Sequence, residues 1–451
     1  MKQPPQLQES ASQAAARALA LHAAYRGKVQ ISPKCPIRSL EDFAVWYTPG
    51  VAEPCRAIHA ARDRSYDYTN RSNLIAIVSD GSRVLGLGDI GPEAAMPVME
   101  GKALLFKHLG GVDAVPLCLR TGDADSLVSI VKALEPSFGG INLEDIAQPR
   151  CFEVLDRLRA ELEIPVWHDD QQGSATVVLA ALAGALKLVG KELGRIRIAL
   201  IGVGAANVST CRLLLASGAD PTAIVACDSK GTLHPGRRDI EAEQARFPDK
   251  WRICRETNGR RIQGGIAEAM AGADVCIAFT RTGPGIVAPA AVAAMAPDAI
   301  VFACANPVPE IWPQEALAAG ARIVATGRSD FPNQVNNALV FPGLFRGVLD
   351  VRARAITDDM ALAAALELAH LAEQGGLAID RILPPLDDVR VAPHIAAAVG
   401  VAADRAGLAG LGAERDDLIR RAEARIRAAR SASRQLDRSG LLAPEAGAEA
   451  P

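Results

Sequence analysis

No stretch of this 451-residue chain is apolar for long enough to cross a bilayer: the longest run, Ala175 to Leu186, is broken by Lys187 and falls short of the roughly 18 residues a span requires. No membrane partner is expected. An excess of charge of one sign is also missing, with a formal net charge of -3, which, local basic patches aside, gives no general reason to expect nucleic acid or an anionic surface as partner and leaves small molecules as the expected ones. The opening MKQPPQLQES lacks the apolar core of a signal peptide, and the nine cysteines are far apart with no C-x-x-C pair. Their odd number excludes complete internal pairing, and neighbours such as VACDS, VFACAN and DVCIAF read as buried strand, which fits a reducing cytoplasm. Repeats are absent, and the one biased tract is the Ala, Pro and Gly-rich tail after Leu441, expected to fray.

What is present is a chain 49% apolar and 22% charged, long enough for a large core divided into two or three domains. Up to about Leu162 short helices mix with strands such as NLIAIVSD. From Ile164 apolar strands (IPVWH, RIRIALIGV, AIVACD, DVCIAFT, AIVFACA, RIVATG) alternate with helices, the pattern of a doubly wound parallel sheet. After Asp358 the pattern is helical. An α/β domain over 1–163, a Rossmann-like dinucleotide-binding domain over 164–350 and a helical segment over 351–451 are predicted.

The segment RIRIALIGVGAANVSTCRLLLASG sets Gly202, Gly204 and Ala205 directly after an apolar strand and at the start of a helix, where backbone amides can hold a pyrophosphate. Asp228 ends the next strand, at the distance usual for a carboxylate that meets the adenosine ribose. Asn207 stands where a third small residue is customary, so a plain glycine turn is the competing reading. Ser229 and Lys230 follow Asp228 and suit a ribose 2′-phosphate, which favours NADP slightly over NAD.

A second cluster comes from a crossover. SFGGINLED and IPVWHDD both read as strands ending in two acids, joined by a helix from Arg150 to Leu162 with Phe152, Leu155, Leu158 and Leu162 on one face. If the strands pair in parallel, Glu144, Asp145, Asp169 and Asp170 converge, and crowded carboxylates call for a cation such as Mg2+ or Mn2+. On spacing alone the same acids suit helix caps equally well. His168, pointing away from Asp169 by strand alternation, reads as a structural histidine.

The motifs YTPGVAEPC, SDGSRVLGLGDIG, PVMEGKA, FGGINLEDI, HDDQQGSA, CDSKG, CANPVPE and TGRSDFPNQVNNALVFPG, in that order between about Gly27 and Ala372, resemble those of the malic enzyme family. The resemblance is to the compact bacterial NAD(P)-dependent type, which oxidises and decarboxylates L-malate to pyruvate. It implies Glu144, Asp145 and Asp170 as metal ligands, Lys102 as general base with a depressed pKa, Asp169 as its partner and Tyr47 as general acid. Arg83 matches a carboxylate clamp, and Asn306 and Asn337 match residues meeting substrate or nicotinamide. Gln172 and Ser174 depart from the histidine and threonine of many relatives. A malolactic activity giving lactate, or a silent dinucleotide-binding protein, are the rival readings, and a homodimer or larger assembly is expected.

Overall fold

The computed structural model describes residues 16–442; MKQPPQLQES and the tail beyond residue 442 lie outside that range. Two parallel sheets organise the chain. Strands β1 (Leu74–Ser79), β2 (Asp113–Cys118), β3 (Gly140–Leu143) and β4 (Val166–His168) form the first, in the order β2-β1-β3-β4. Its central strands are buried and mostly apolar because helices cover both faces. Ile75 and Ile77 of β1 pack with the helix Gly91–Gly110, whereas Ala76 and Val78 pack with the helices Ala124–Leu134 and Arg150–Glu161. On the last of these the fully buried stripe is Cys151, Val154, Leu155 and Leu158, and Phe152 is half-buried at its edge.

One boundary moves. β4, expected to open the second domain, pairs Val166–His168 with Ile141–Leu143 of β3 and so completes the first sheet. Strand–helix alternation looks the same in both halves and carries no information on which strand is the partner, so a division between 163 and 164 falls inside this sheet. The chain leaves it through a π-helical turn, Asp169–Gly173, that runs into the helix Ser174–Val189. Together these form the one helical stretch among the described residues long and apolar enough to span a membrane, yet 72% of its most apolar window is buried within the protein. It is a core helix, packed on the helices Ala205–Ala216 and Asp358–Gln374.

The second sheet holds β5 (Ile198–Ile201), β6 (Ile224–Asp228), β7 (Gly231–Thr232), β8 (Val275–Ala278), β9 (Ala299–Ala303) and β10 (Ala321–Thr326) in the order β10-β9-β8-β5-β6-β7. All are parallel except the short β7, which turns back on β6. From β5 the chain steps outward to β6 and later crosses to β8 on the other side, so the carboxyl ends of β5 and β8 flank a topological switch point. This is the doubly wound domain predicted from the sequence.

The C-terminal helices pack back on the chain itself. Phe341–Asp350 and Val391–Arg405 approach closely at Gly343 and Gly347, where a Cβ would collide with Ala392 and Ala396. Arg415–Arg438 returns to the helix Gly91–Gly110, where Arg430 Nε donates to His108 O at 2.8 Å. Beneath them Arg346, fully buried, donates to Asp350 Oδ1 at 2.7 Å and to Asn73 Oδ1 at 2.5 Å, tying this layer to the base of the first sheet.

Candidate active site

Because β3 and β4 are parallel neighbours, the residues that follow them meet at one sheet edge. Glu144, Asp145 and Asp170 each present a carboxylate oxygen, all within 4.8 Å of one another. Asp145 sits at φ 54, a left-handed conformation that aspartate tolerates and that turns it off the strand axis. Its N–H donates to Asp170 Oδ2 at 2.8 Å, and its carbonyl accepts from Arg83 N–H at 3.0 Å.

Burial pushes the Glu144 carboxyl well up; Lys102 pulls it back, while Asp170, Asp169 and Asp145 act in the same direction as burial. Asp145 is pushed up to about 8 by burial and by Asp170, and Asp170 is raised chiefly by burial. Such mutual repulsion is what a divalent cation relieves, and Asp145 Oδ2 is buried without a hydrogen-bond partner. An all-oxygen donor set with an unsatisfied lone pair fits Mg2+ or Mn2+.

Lys102 comes from the helix Gly91–Gly110 and is itself buried. Its Nζ lies 2.6 Å from Asp169 Oδ2 and 2.8 Å from Glu144 Oε1, with the Phe341 ring 4.4 Å beneath it. The depressed pKa expected for this lysine is not found: burial pulls it down, but Asp169 and Glu144 reverse the effect and hold it above the usual lysine value. Asp169 is fixed in turn by Trp167 Nε1 at 3.1 Å and by the π-helical turn, where Gly173 leaves its side chain room; any Cβ there would collide with Asp169 and press on Asn337. His168 is fully buried and held neutral by burial, its pKa pushed down to about 3. The π-helical turn after β4 breaks strand alternation, so its Nδ1 faces Asp170 Oδ2 at 3.7 Å.

In the second sheet, Gly202 (φ 87) donates its N–H to Cys227 O at 2.8 Å and passes so close to Phe279 that a Cβ would clash with the carbonyl there. Gly204 is the N-cap of Ala205–Ala216, where a Cβ would meet the Gln148 side chain at 3.9 Å. Asn207 does more than replace a small residue: its Nδ2 lies 3.0, 2.8 and 3.2 Å from the carbonyls of Ile201, Gly202 and Ile277, stitching β5 to β8 below the glycine loop. Asp228 accepts from both terminal nitrogens of Arg237, each at 3.1 Å, from Lys250 Nζ at 2.5 Å and from Lys230 N–H at 2.9 Å. Ser229 and Lys230 are exposed beside it, and Lys230 Nζ reaches Asp239 at 3.3 Å.

The end of β5 thus carries the glycine loop, and the ends of β3 and β4 carry the carboxylates. The profile "Malic enzyme, N-terminal domain" matches residues 26–159 and "Malic enzyme, NAD binding domain" matches residues 171–404. The chain belongs to the malic enzyme family. It is 48% identical over 396 residues to the bifunctional malic/malolactic enzyme of Bacillus subtilis (strain 168), covering 87% of this chain and 93% of that one. To the NADP-dependent malic enzyme of Halomonas elongata it is 41% identical over 400 residues, covering 85% and 92% respectively. The crystal structure of Entamoeba histolytica malic enzyme superposes with a TM-score of 0.93 at 46% identity, covering 97% of this chain and 92% of that one. The chain is therefore an NAD(P)-dependent oxidoreductase of the malic enzyme type.

The malic enzyme residues expected from sequence are not all gathered in one place. Arg83 is exposed at the mouth of the carboxylate cluster, where its charge lowers Asp145 and Asp170 and its Nη1 donates to Leu85 O at 2.7 Å. Asn306 is exposed on the loop after β9, its carbonyl close against Gly86 of the first domain, and Asn337 begins a short 3-10 turn beside Asp169. Tyr47 stands apart: it is 69% exposed, and its side chain makes no hydrogen bond or ring contact among the described residues.

Several supporting groups escape sequence reading. Asn142 on β3 donates to Glu144 Oε2 at 3.0 Å, and Trp167 and Phe341 hold Asp169 and Lys102 from below. Glu310, fully buried, accepts from Thr280 N–H at 2.8 Å and Ala305 N–H at 3.1 Å, joining the loops after β8 and β9. A polar residue inside an apolar strand (Asn142) and an acid in VPEIW (Glu310) were the signals available. Arg237 was marked only by the basic pair it shares with Arg238.

Proposed function

We propose that this chain oxidatively decarboxylates L-malate to pyruvate and CO2 while reducing NADP or NAD, with Mg2+ or Mn2+ held by Glu144, Asp145 and Asp170. The observation that carries this reading is the juxtaposition of three mutually repelling carboxylates with the Lys102–Asp169 pair at one sheet edge. When bound, the ion supplies polarisation of the substrate's hydroxyl and carbonyl oxygens, and the nicotinamide supplies the hydride acceptor.

The protein's part is positional and protonic. Arg83 at the mouth offers a fork for a substrate carboxylate, and Asn306 and Asn337 flank the place where substrate and nicotinamide meet. Lys102 first passes the proton it holds to Asp169, 2.6 Å away, and its free amine then takes the C2 hydroxyl proton. Tyr47 returns a proton to C3 after CO2 leaves. Asp228 is already saturated by Arg237 and Lys250, so it has little capacity left for ribose hydroxyls, and the cations around it favour a 2′-phosphate; NADP is the preferred cofactor on this reading. We place the protein in the cytoplasm, acting on a small molecule, as a homodimer or larger homo-oligomer.

The test is a pair of assays with L-malate, Mn2+ and either NADP or NAD, following reduced nicotinamide and identifying the product, with EDTA controls. EDTA-sensitive reduction with pyruvate as product supports the reading, and the faster cofactor reports on the Asp228 surroundings. The Bacillus relative's bifunctional name favours one second activity, so lactate is measured as well. Lactate without net reduction would replace the malic by the malolactic reading, and unchanged malate would remove both.

A further inference from the structure

We propose that Glu310 sets the balance between the two redox forms of the dinucleotide: its buried carboxylate favours the oxidised nicotinamide, whose ring is a cation, over the reduced ring, which is neutral. This rests on the reading above that the nicotinamide meets substrate beside Asn306, and it adds a residue that discriminates between cofactor and product.

Glu310 stands alone among the acids of the interior. Six are buried: Asp80, Glu144, Asp145, Asp169, Glu310 and Asp350. Asp80 pairs with Arg150, Glu144 and Asp169 with Lys102, Asp350 with Arg346, and Asp145 belongs to the metal cluster. Among the described residues only Glu310 has neither a cation beside it nor a place in that cluster. Hydrogen bonds hold it instead. Oε1 accepts from Thr280 N–H at 2.8 Å, with Thr280 Oγ1 3.1 Å from the same oxygen, and Oε2 accepts from Ala305 N–H at 3.1 Å. Burial raises its pKa and these donors pull it back, because they favour the ionised form. Cys304, Ala305, Ile311 and Trp312 are buried as well, and in such an interior a charge is screened far less than in water.

The residues that donate to Glu310 belong to loops lying between the glycine loop and the carboxylate cluster. On one side, a Cβ on Gly202 would strike the Phe279 carbonyl and press on the Thr280 methyl, so the loop after β8 lies directly on the glycine loop. On the other, a Cβ on Gly86 would meet Asn306 O, Pro307 and Thr282, and the neighbouring Leu85 N–H holds the Asp145 carboxylate. The two loops are also tied to each other, Val308 N–H donating to Thr282 Oγ1 and Gly283 N–H to Val308 O, both at 3.1 Å. A dinucleotide that runs from Gly202 to substrate at the metal cluster passes these loops, and their shared anchor is Glu310. Fixed there, a carboxylate attracts a pyridinium ring and has no charge to act on once the ring is reduced.

The experiment titrates NADP and NADPH separately onto the wild type, Glu310→Gln and Glu310→Asp by isothermal calorimetry, with no malate present. Glu310→Gln removes the charge and sets an amide against one of the N–H groups, so both forms are expected to bind more weakly. What the charge alone moves is the ratio: affinity for NADP relative to NADPH should fall by roughly 3–10-fold. Glu310→Asp keeps the charge on a shorter stem and should keep the wild-type ratio while both affinities drop. If Glu310→Gln weakens the two forms by the same factor, Glu310 only ties the loops and the proposal is overturned.

Should Glu310→Gln not fold, the wild type alone still decides. It is expected to hold NADP at least as tightly as NADPH, and an affinity for NADPH more than about tenfold higher overturns the proposal. A wild type that binds neither form overturns it together with the functional reading. Malate left untouched while the ratio shifts between variants would refute the functional reading and keep the inference; an unmoved ratio beside full malic activity would do the reverse.

Discussion

Lys102 and Asp170 act at one sheet edge but fail differently when changed. Lys102→Ala is expected to lower kcat by roughly 10²–10⁴-fold, the range of a lost general base, while NADP still binds. Asp170→Asn removes one of three converging charges and is expected to abolish Mn2+-dependent turnover and, by isothermal titration, Mn2+ binding itself. If Asp170→Asn binds Mn2+ as tightly as the wild type, the ligand assignment is wrong. Gly202 is constrained twice over, by φ 87 and by the Phe279 carbonyl, so Gly202→Ala should weaken dinucleotide affinity and lower Tm together. Unchanged affinity in a fluorescence titration with NADPH would place the pyrophosphate elsewhere. The glycines were legible as a motif, whereas the collision that makes Gly202 necessary involves Phe279, far along the chain.

At the scale of the element, β5, β6 and β8 are held by side chains at their carboxyl ends. Asn207→Ala removes the amide that spans Ile201, Gly202 and Ile277 and should cost about 1–3 kcal/mol by denaturant unfolding, since those buried carbonyls lose a donor. A cost near zero would mean that water takes its place. At the end of β6, burial raises the Asp228 carboxyl, but Arg237 and Lys250 outweigh it and hold the group below the usual aspartate range. A depressed folded pKa stabilises the protein at pH values above the unfolded one and loses that contribution as pH falls through the folded one. The Tm difference between wild type and Arg237→Ala is thus expected at pH 7 and should shrink below about pH 4; a difference independent of pH would point to lost packing. Here the sequence displayed the acid and the following Ser229 and Lys230, but not Arg237 or Lys250, because ion pairing depends on how β7 and the helix Pro248–Glu256 fold back.

For the whole molecule, the first sheet and the C-terminal helices are joined through Arg346, buried with Asp350 and Asn73 between the helical layer and that sheet. Arg346→Ala strands Asp350 in the interior and should destabilise by about 3–5 kcal/mol, read as a fall in Tm with the helical content of the folded protein retained. A loss below about 1 kcal/mol would show that Arg425, 3.5 Å from Asp350, takes over the charge.

By itself the sequence determined the alternation of strands and helices, the glycine loop and the acids that end two strands, since each is a local pattern of period, spacing or turn chemistry. Its order of motifs was enough to indicate the family. Tertiary structure alone decided that β4 closes the first sheet, that the helical segment returns to its own chain, and that Lys102 holds its proton against the pull of burial. It also left Tyr47 exposed. The physical reason is the same in each case: which strand pairs with which, how charges add within a buried cluster, and which surface is left bare depend on residues far apart in the chain, and no local pattern carries that information.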